Sequence, residues 1–123
     1  MTREEACRRY EIPVEILKEY ERCGFCRDRD QAPGACRYED SDLERISLMM
    51  TLCEAGLDPQ ERETYMRMFL AGQDTLEARL RILDERREDT LREIHGRERQ
   101  LDLLDDLRHR LRMVIQKERM DER

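Results

Sequence analysis

The residues of this 123-residue chain whose types and spacing could do chemistry are five cysteines, Cys7, Cys23, Cys26, Cys36 and Cys53. Cys23-Gly24-Phe25-Cys26 has the C-x-x-C spacing of zinc ribbons and thiol redox centres, and Cys36 follows ten residues later, so three thiolates could meet at one metal ion. A tetrahedral site needs a fourth ligand. No second C-x-x-C exists, and the two histidines, His95 and His109, lie far along the chain in a charged stretch, where solvated helix residues are the simpler reading. Cys23, Cys26 and Cys36 therefore remain candidate ligands beside the preferred reading of structural cysteines. Cys7 and Cys53 fall on apolar helix faces and are expected in the core. No Gly-rich phosphate loop, nucleophile elbow or His/Asp/Ser set is present, and the carboxylates follow helix faces, so neither an enzyme nor a bound cofactor is expected.

The elements that must position any site are helical and short of interior. Charged residues make up 44% of the chain, hydrophobic ones 38% and aromatics 5%, with no Trp, which suits one small core plus an extended element finished by a partner. Met1 to Tyr20 is dense in Arg and Glu, and no apolar run approaches the roughly 20 residues that span a bilayer. A cytoplasmic protein with no membrane partner and with reduced cysteines is expected. Residues 1–57 carry 9 basic and 13 acidic side chains and the remainder 15 and 17, within a net charge of −6. Neither half is basic, which weakens an expectation of duplex binding without removing a local basic patch.

Arg3 to Tyr10 reads as a charged helix broken at Glu11-Ile12-Pro13, with a second helix from Pro13 to about Cys23. Val14, Ile16, Leu17 and Tyr20 share its apolar face, and two helices joined by a tight turn make a helix-turn-helix candidate. Gly24 to Arg37 is a loop or a small two-stranded wing. Ser41-Asp42-Leu43-Glu44 reads as a capping box that opens a helix buried along Leu43, Ile46, Met50 and Cys53. Asp58 caps the next helix, with Pro59 in its first turn, and Gly72 ends it. Met49, Met50, Tyr65, Met66, Met68 and Phe69 could line a soft effector pocket, although core packing is the preferred reading; the identity of any effector is open.

From residue 76 the steps alternate four and three, a heptad seam held by Leu76, Leu80, Leu83, Ile94, Leu101, Leu104, Leu111 and Ile115 and interrupted by Arg87, Thr90, Arg97 and Arg108. A helix from 76 to about 118 would run roughly 65 Å. No preceding domain of this size could cover it, so it needs a partner helix.

Three segments in order carry a resemblance. Lys18-Glu19-Tyr20-Glu21-Arg22-Cys23-Gly24-Phe25 is similar to the RYYEREGLL segment that ends the recognition helix of MerR-type regulators. Gly34 to Ile46 resembles the GYRLYSEEDLERL wing and third-helix start of that family, and Glu54-Ala55-Gly56-Leu57-Asp58 stands where the family has its ELGFS turn. The resemblance implies a mainly all-α fold, a winged helix-turn-helix followed by a long helix that forms an antiparallel coiled-coil homodimer. It also implies two recognition helices in successive major grooves of promoter DNA. On this pattern residues 1–72 are the DNA-binding domain, 73–118 the dimerisation helix and 119–123 a charged tail.

Departures from the pattern cluster where the resemblance places DNA. Glu15 and Ile16 stand where the family has a basic residue and Thr, Glu19 replaces the first Tyr, Lys18 replaces Arg, and Ala35 and Cys36 replace the wing Tyr and Arg. Arg8, Arg9, Val14, Glu15, Lys18, Arg22 and Arg37 are the expected DNA-facing residues, with Glu15 and Glu19 weakening contact to phosphate. The alternative is a degenerate relative that acts through protein contacts, pairing with a DNA-competent homologue. Arg87, Arg97 and Arg108 would set the pairing by demanding acidic partners.

Overall fold

A computed structural model describes residues 1–26 and 37–122 of the chain. Among these residues the secondary structure is helical throughout: α1 (Arg3–Tyr10), α2 (Val14–Arg22), α3 (Asp40–Glu54), α4 (Pro59–Ala71), a 3-10 turn at Gln73–Thr75, and α5 (Leu76–Asp121). The chain divides into two compact units, Met1–Ile82 and Leu83–Arg123. Most of the expected wing, residues 27–36, lies outside the described residues.

Capping fixes the helix starts. Thr2 Oγ accepts the Glu5 N–H while the Glu5 carboxylate accepts the Thr2 N–H, a reciprocal box that opens α1. Asp58 and Glu61 repeat it at α4, with Pro59 in the first turn. The chain leaves α1 through Glu11, at φ 52° and ψ 38°, which costs a non-glycine residue about 1–2 kcal/mol. Buried Ile12 anchors that turn.

Two helices end in the same six-residue motif. At the end of α2, Phe25 N–H donates to Tyr20 O and Gly24 N–H to Glu21 O; after α3, Leu57 N–H donates to Leu52 O and Gly56 N–H to Cys53 O. Gly24 and Gly56 take the positive φ of 78° and 94° that this reversal requires. In each case the residue after the glycine packs back: Phe25 and Tyr20 are both buried with ring centroids 5.7 Å apart, and Leu57 and Leu52 are both buried.

The core of the first unit gathers Ala6, Ile12, Ile16, Leu17, Tyr20, Phe25, Tyr38, Ile46, Met49, Leu52, Leu57, Tyr65 and Met66. Two expectations for α3 are corrected here. The helix begins at Asp40 with Glu39 as its cap, and it is Asp42, not Glu44, whose carboxylate accepts the cap N–H, at 2.9 Å; Ser41 does not cap. The buried stripe runs through Asp42, Ile46, Met49 and Leu52, leaving Leu43 and Met50 half-buried and Cys53 exposed. Both follow from one contact, the Tyr20 hydroxyl donating to Asp42 Oδ1 at 2.5 Å in the interior, which turns that side of α3 inward. Core packing holds for Met49, Tyr65 and Met66, while Phe69 and Leu70 keep 40% exposure.

Tyr38 closes this core against the N-terminus. Its N–H donates to Met1 O at 2.7 Å and its carbonyl accepts from the Met1 amino group at 3.2 Å. Its ring lies 6.2 Å from Tyr20, and its hydroxyl is buried beside the Arg3–Glu21 ion pair. Burial pushes both phenols well above the usual range, helped by the Asp42 carboxylate at Tyr20 and by Glu21 at Tyr38.

A raised phenol favours the neutral folded form, so its contribution is complete below the unfolded value of about 10 and is lost as pH rises through the higher folded value. Urea midpoints are therefore expected to be flat from pH 7 to 9 and to fall above it. Tyr38→Phe should flatten that fall; an alkaline slope unchanged in this variant would refute the assignment. Gly96 sits inside α5, and a methyl group added at its Cα would meet nothing within 4 Å. Gly96→Ala should therefore raise stability by about 0.5–1 kcal/mol, read as an upward shift of the thermal midpoint.

Candidate nucleic-acid interface

Eight of the nine residues of α2 separate into an inner and an outer arc, with Glu21 half-buried. Ile16, Leu17, Glu19 and Tyr20 are buried, and Val14, Glu15, Lys18 and Arg22 are exposed. At 100° per residue the four exposed positions fall within one 100° sector, the width of a single helix face. Val14, expected on the apolar face, lies on this outer one at 40% exposure. Ile16 belongs to the core, so its departure from the family pattern touches no solvent-facing position.

Glu19 is also reassigned by its surroundings. It is 5% exposed, and its carboxylate accepts from Arg62 Nε at 3.0 Å and from Arg62 NH2 at 2.8 Å. Arg62 NH1 donates to Leu57 O at 2.6 Å, so the guanidinium is held on two sides. The partner lies 43 residues away in sequence, beyond what local pattern reveals. The one available signal was an acid at a helical position between Ile16 and Tyr20, both apolar-face residues. Glu19 is thus a structural carboxylate paired with Arg62 and withdrawn from the outer face of α2.

Glu15, Lys18 and Arg22 make no ion pair among the described residues and keep their charges toward solvent. Arg8 and Arg9 are exposed at the end of α1, where they line a shallow open hollow with Met1 and Glu5. Arg37 is exposed beside buried Tyr38. The arrangement offers phosphate-binding cations around a short helix face that carries one carboxylate, with little capacity for base-edge hydrogen bonds.

The cysteines do not assemble a metal centre among the described residues, where no cluster of three or more His, Cys, Asp or Glu is close enough to hold an ion. Cys23 is a free, half-buried thiol at the end of α2, and its pKa is raised by burial and then by Glu63 and Glu19. Cys26 is disulfide-bonded and buried, which corrects the expectation that all five cysteines are reduced. Compartment sets a general redox preference, whereas the fold sets which sulfurs meet, and the turn at Gly24 separates the two halves of the C-x-x-C. Cys36 lies outside the described residues.

On α5 the seam residues Leu76, Leu80, Ile94, Leu101, Leu104, Leu111 and Ile115 are 46–64% exposed in the single chain, and Leu83 is half-buried. Leu103, Leu107 and Val114, also exposed, widen the stripe beyond the predicted positions. Steps of three, four and three along Leu104, Leu107, Leu111 and Val114 carried that signal.

Removing one member of a buried ion pair strands the other, at a typical loss of about 3–5 kcal/mol. Glu19→Ala is expected to lower stability by that order, whereas Glu19→Leu combined with Arg62→Met should recover most of it. Urea denaturation of the single and double variants checks this, and a mild single variant would mean that the pair is dispensable.

Residues 1–68 match the family model described as MerR HTH family regulatory protein. A crystal structure from Listeria monocytogenes assigned to the MerR family of transcriptional regulators is similar over 85% of this chain and 80% of its own, at 25% identity and a TM-score of 0.62. HiNmlR, a MerR family regulator lacking the sensor domain and solved bound to promoter DNA, is similar over 85% and 83% at 26% identity and a TM-score of 0.60. No curated protein matches the sequence. Helix-turn-helix geometry, the outward face of α2 and a family match over more than half its length agree: this chain belongs to the MerR HTH family of regulatory proteins, and its work is regulation of transcription and not catalysis.

Proposed function

We propose that the chain acts in the cytoplasm as a homodimeric regulator that binds promoter DNA through the outer face of α2. The observation that carries this is the sorting of α2, with every exposed position on one 100° sector while Glu19 is withdrawn into an ion pair. Val14, Glu15 and Lys18 face the base edges and Arg22 the backbone, with Arg8, Arg9 and Arg37 adding phosphate contacts. Residues 1–72 form the DNA-binding part, 73–118 the dimerisation helix and 119–123 the tail. Glu15 alone keeps a repulsive charge on this face, so affinity rests on phosphate contacts and sequence preference is weak. Burial of Glu19 removes half the motive for a degenerate relative that works only through protein contacts.

Fluorescence anisotropy on a labelled duplex from upstream of the gene, titrated at several salt concentrations, tests the reading. Arg22→Ala is expected to weaken binding to all duplexes alike and to reduce the slope of log affinity against log salt by about 0.9. Glu15→Lys should strengthen binding and steepen the slope. No binding even at low salt, for the natural protein and for Glu15→Lys alike, would refute the proposal.

A further inference from the structure

The DNA-binding reading proposed above is the ground for a narrower one, the identity of a base pair that the outer face of α2 recognises. Val14, Glu15 and Lys18 are the exposed side chains nearest the start of this helix, and in helix-turn-helix modules that end of the recognition helix meets the base edges. Val14 and Glu15 stand at opposite borders of the 100° sector, with Lys18 between them one turn further on. Val14 offers an apolar surface and no hydrogen bond. Discrimination by polar contact therefore falls to Glu15 and Lys18.

These two charges are neighbours that do not satisfy each other. Side chains three positions apart on a helix lie about 5–6 Å apart at Cβ, yet neither Glu15 nor Lys18 forms an ion pair among the described residues. Of the three acids of α2, Glu19 is paired with Arg62 and Glu21 with Arg3, and Glu15 alone keeps an unshared carboxylate. Its place in the first turn suits a helix start, but that role needs no cation beside it and selects no base.

In the major groove a C·G pair presents the guanine N7 and O6 acceptors followed by the cytosine N4 amino donor. An ammonium beside a carboxylate is the complement of that edge. With thymine in place of the cytosine and adenine in place of the guanine, the same carboxylate would face the thymine O4 and the same ammonium the adenine amino group. Reversing the pair exchanges the two edges and sets acceptor against carboxylate and donor against ammonium. A carboxylate that enters the groove and meets no donor loses water without compensation, so the wrong pair is penalised and not merely unrewarded.

We infer that Glu15 and Lys18 together read one C·G base pair in each half-site, Glu15 accepting from the cytosine N4 amino group and Lys18 donating to the guanine N7 and O6. The weak preference of this face is concentrated at that pair, and on duplexes without it Glu15 contributes only repulsion. Arg8, Arg9, Arg22 and Arg37 supply the phosphate contacts, which carry no sequence information.

The test begins with the full chain and a library of randomised duplexes, from which bound members are selected at low salt. Fluorescence anisotropy then compares the natural protein with Glu15→Ala and Lys18→Ala on the selected duplex and on two altered forms of it. Replacing the selected cytosine by 2-pyrimidinone removes the N4 amino group; replacing its guanine by 7-deazaguanine removes N7. The selected duplexes are expected to share a C·G pair. The pyrimidinone duplex should bind the natural protein about fivefold or more weakly than the unaltered one, while Glu15→Ala should hardly distinguish the two. The 7-deazaguanine duplex should be discriminated by the natural protein and not by Lys18→Ala. Because each comparison is a ratio between two duplexes for one protein, a general loss of folding or of affinity cancels. Selected duplexes with no common C·G pair overturn the inference and leave DNA binding standing. So does an equal loss on the altered duplexes for the natural protein and the corresponding variant, which is the outcome if Glu15 serves only to start α2. No binding to any duplex of the library at low salt overturns both this inference and the DNA-binding reading on which it rests.

Discussion

A carboxylate in a protein interior must be matched, and the matching of Glu19 by Arg62 is the constraint from which the outer face of α2, the proposed DNA-facing surface, follows. Glu19 lies on the side of α2 between the outer arc and the core. Left in water it would add a second negative charge beside Glu15 on the face proposed to approach phosphate. Held by two nitrogens of Arg62, whose third donates to Leu57 O, it ties α2 to the first turns of α4 and removes its charge from that face. Burial also makes the pair indifferent to salt in a way the outer cations are not, so ionic strength acts on the interface and leaves its support in place.

Around this pair the first unit is built from repeated devices. Reciprocal caps at Thr2 and Asp58 start helices, and glycine-dependent reversals at Gly24 and Gly56 end them with an aromatic or leucine packed back on the helix just finished. Tyr20 belongs to two of these arrangements, receiving Phe25 at its own helix end and donating to Asp42 at the start of α3.

Most of the local structure was legible in the sequence. The breaks at Glu11 to Pro13, Gly56 and Gly72, the Asp58 cap and the single long helix are governed by residue type and short-range spacing, and they occur where those rules put them. What was not legible depends on distant partners. The start of α3 is decided by Asp42 answering Tyr20, 22 residues earlier, so Ser41 and Glu44, good capping residues by type, are passed over. Cys53 has the spacing of a buried residue but lies on the side of α3 turned outward by that same contact. Glu19 looks like a liability in the sequence because its counterion is 43 residues away. For the proposed interface, charge type was readable at each position, but which charges remain unpaired was not.

The junction after α4 has a mechanical meaning. Thr75 donates to both Met68 O and Gly72 O at 2.7 Å, and Arg79 bonds Thr75 and lies over the rings of Tyr65 and Phe69 at 5.7 and 5.4 Å. The first turns of α5 therefore belong to the same body as α2, which extends to Ile82. The start of the long helix is thus fixed to its own domain by side chains as well as by the chain itself. Loss of Thr75 or Arg79 would free those first turns from the body that carries α2 without touching the Glu19–Arg62 pair.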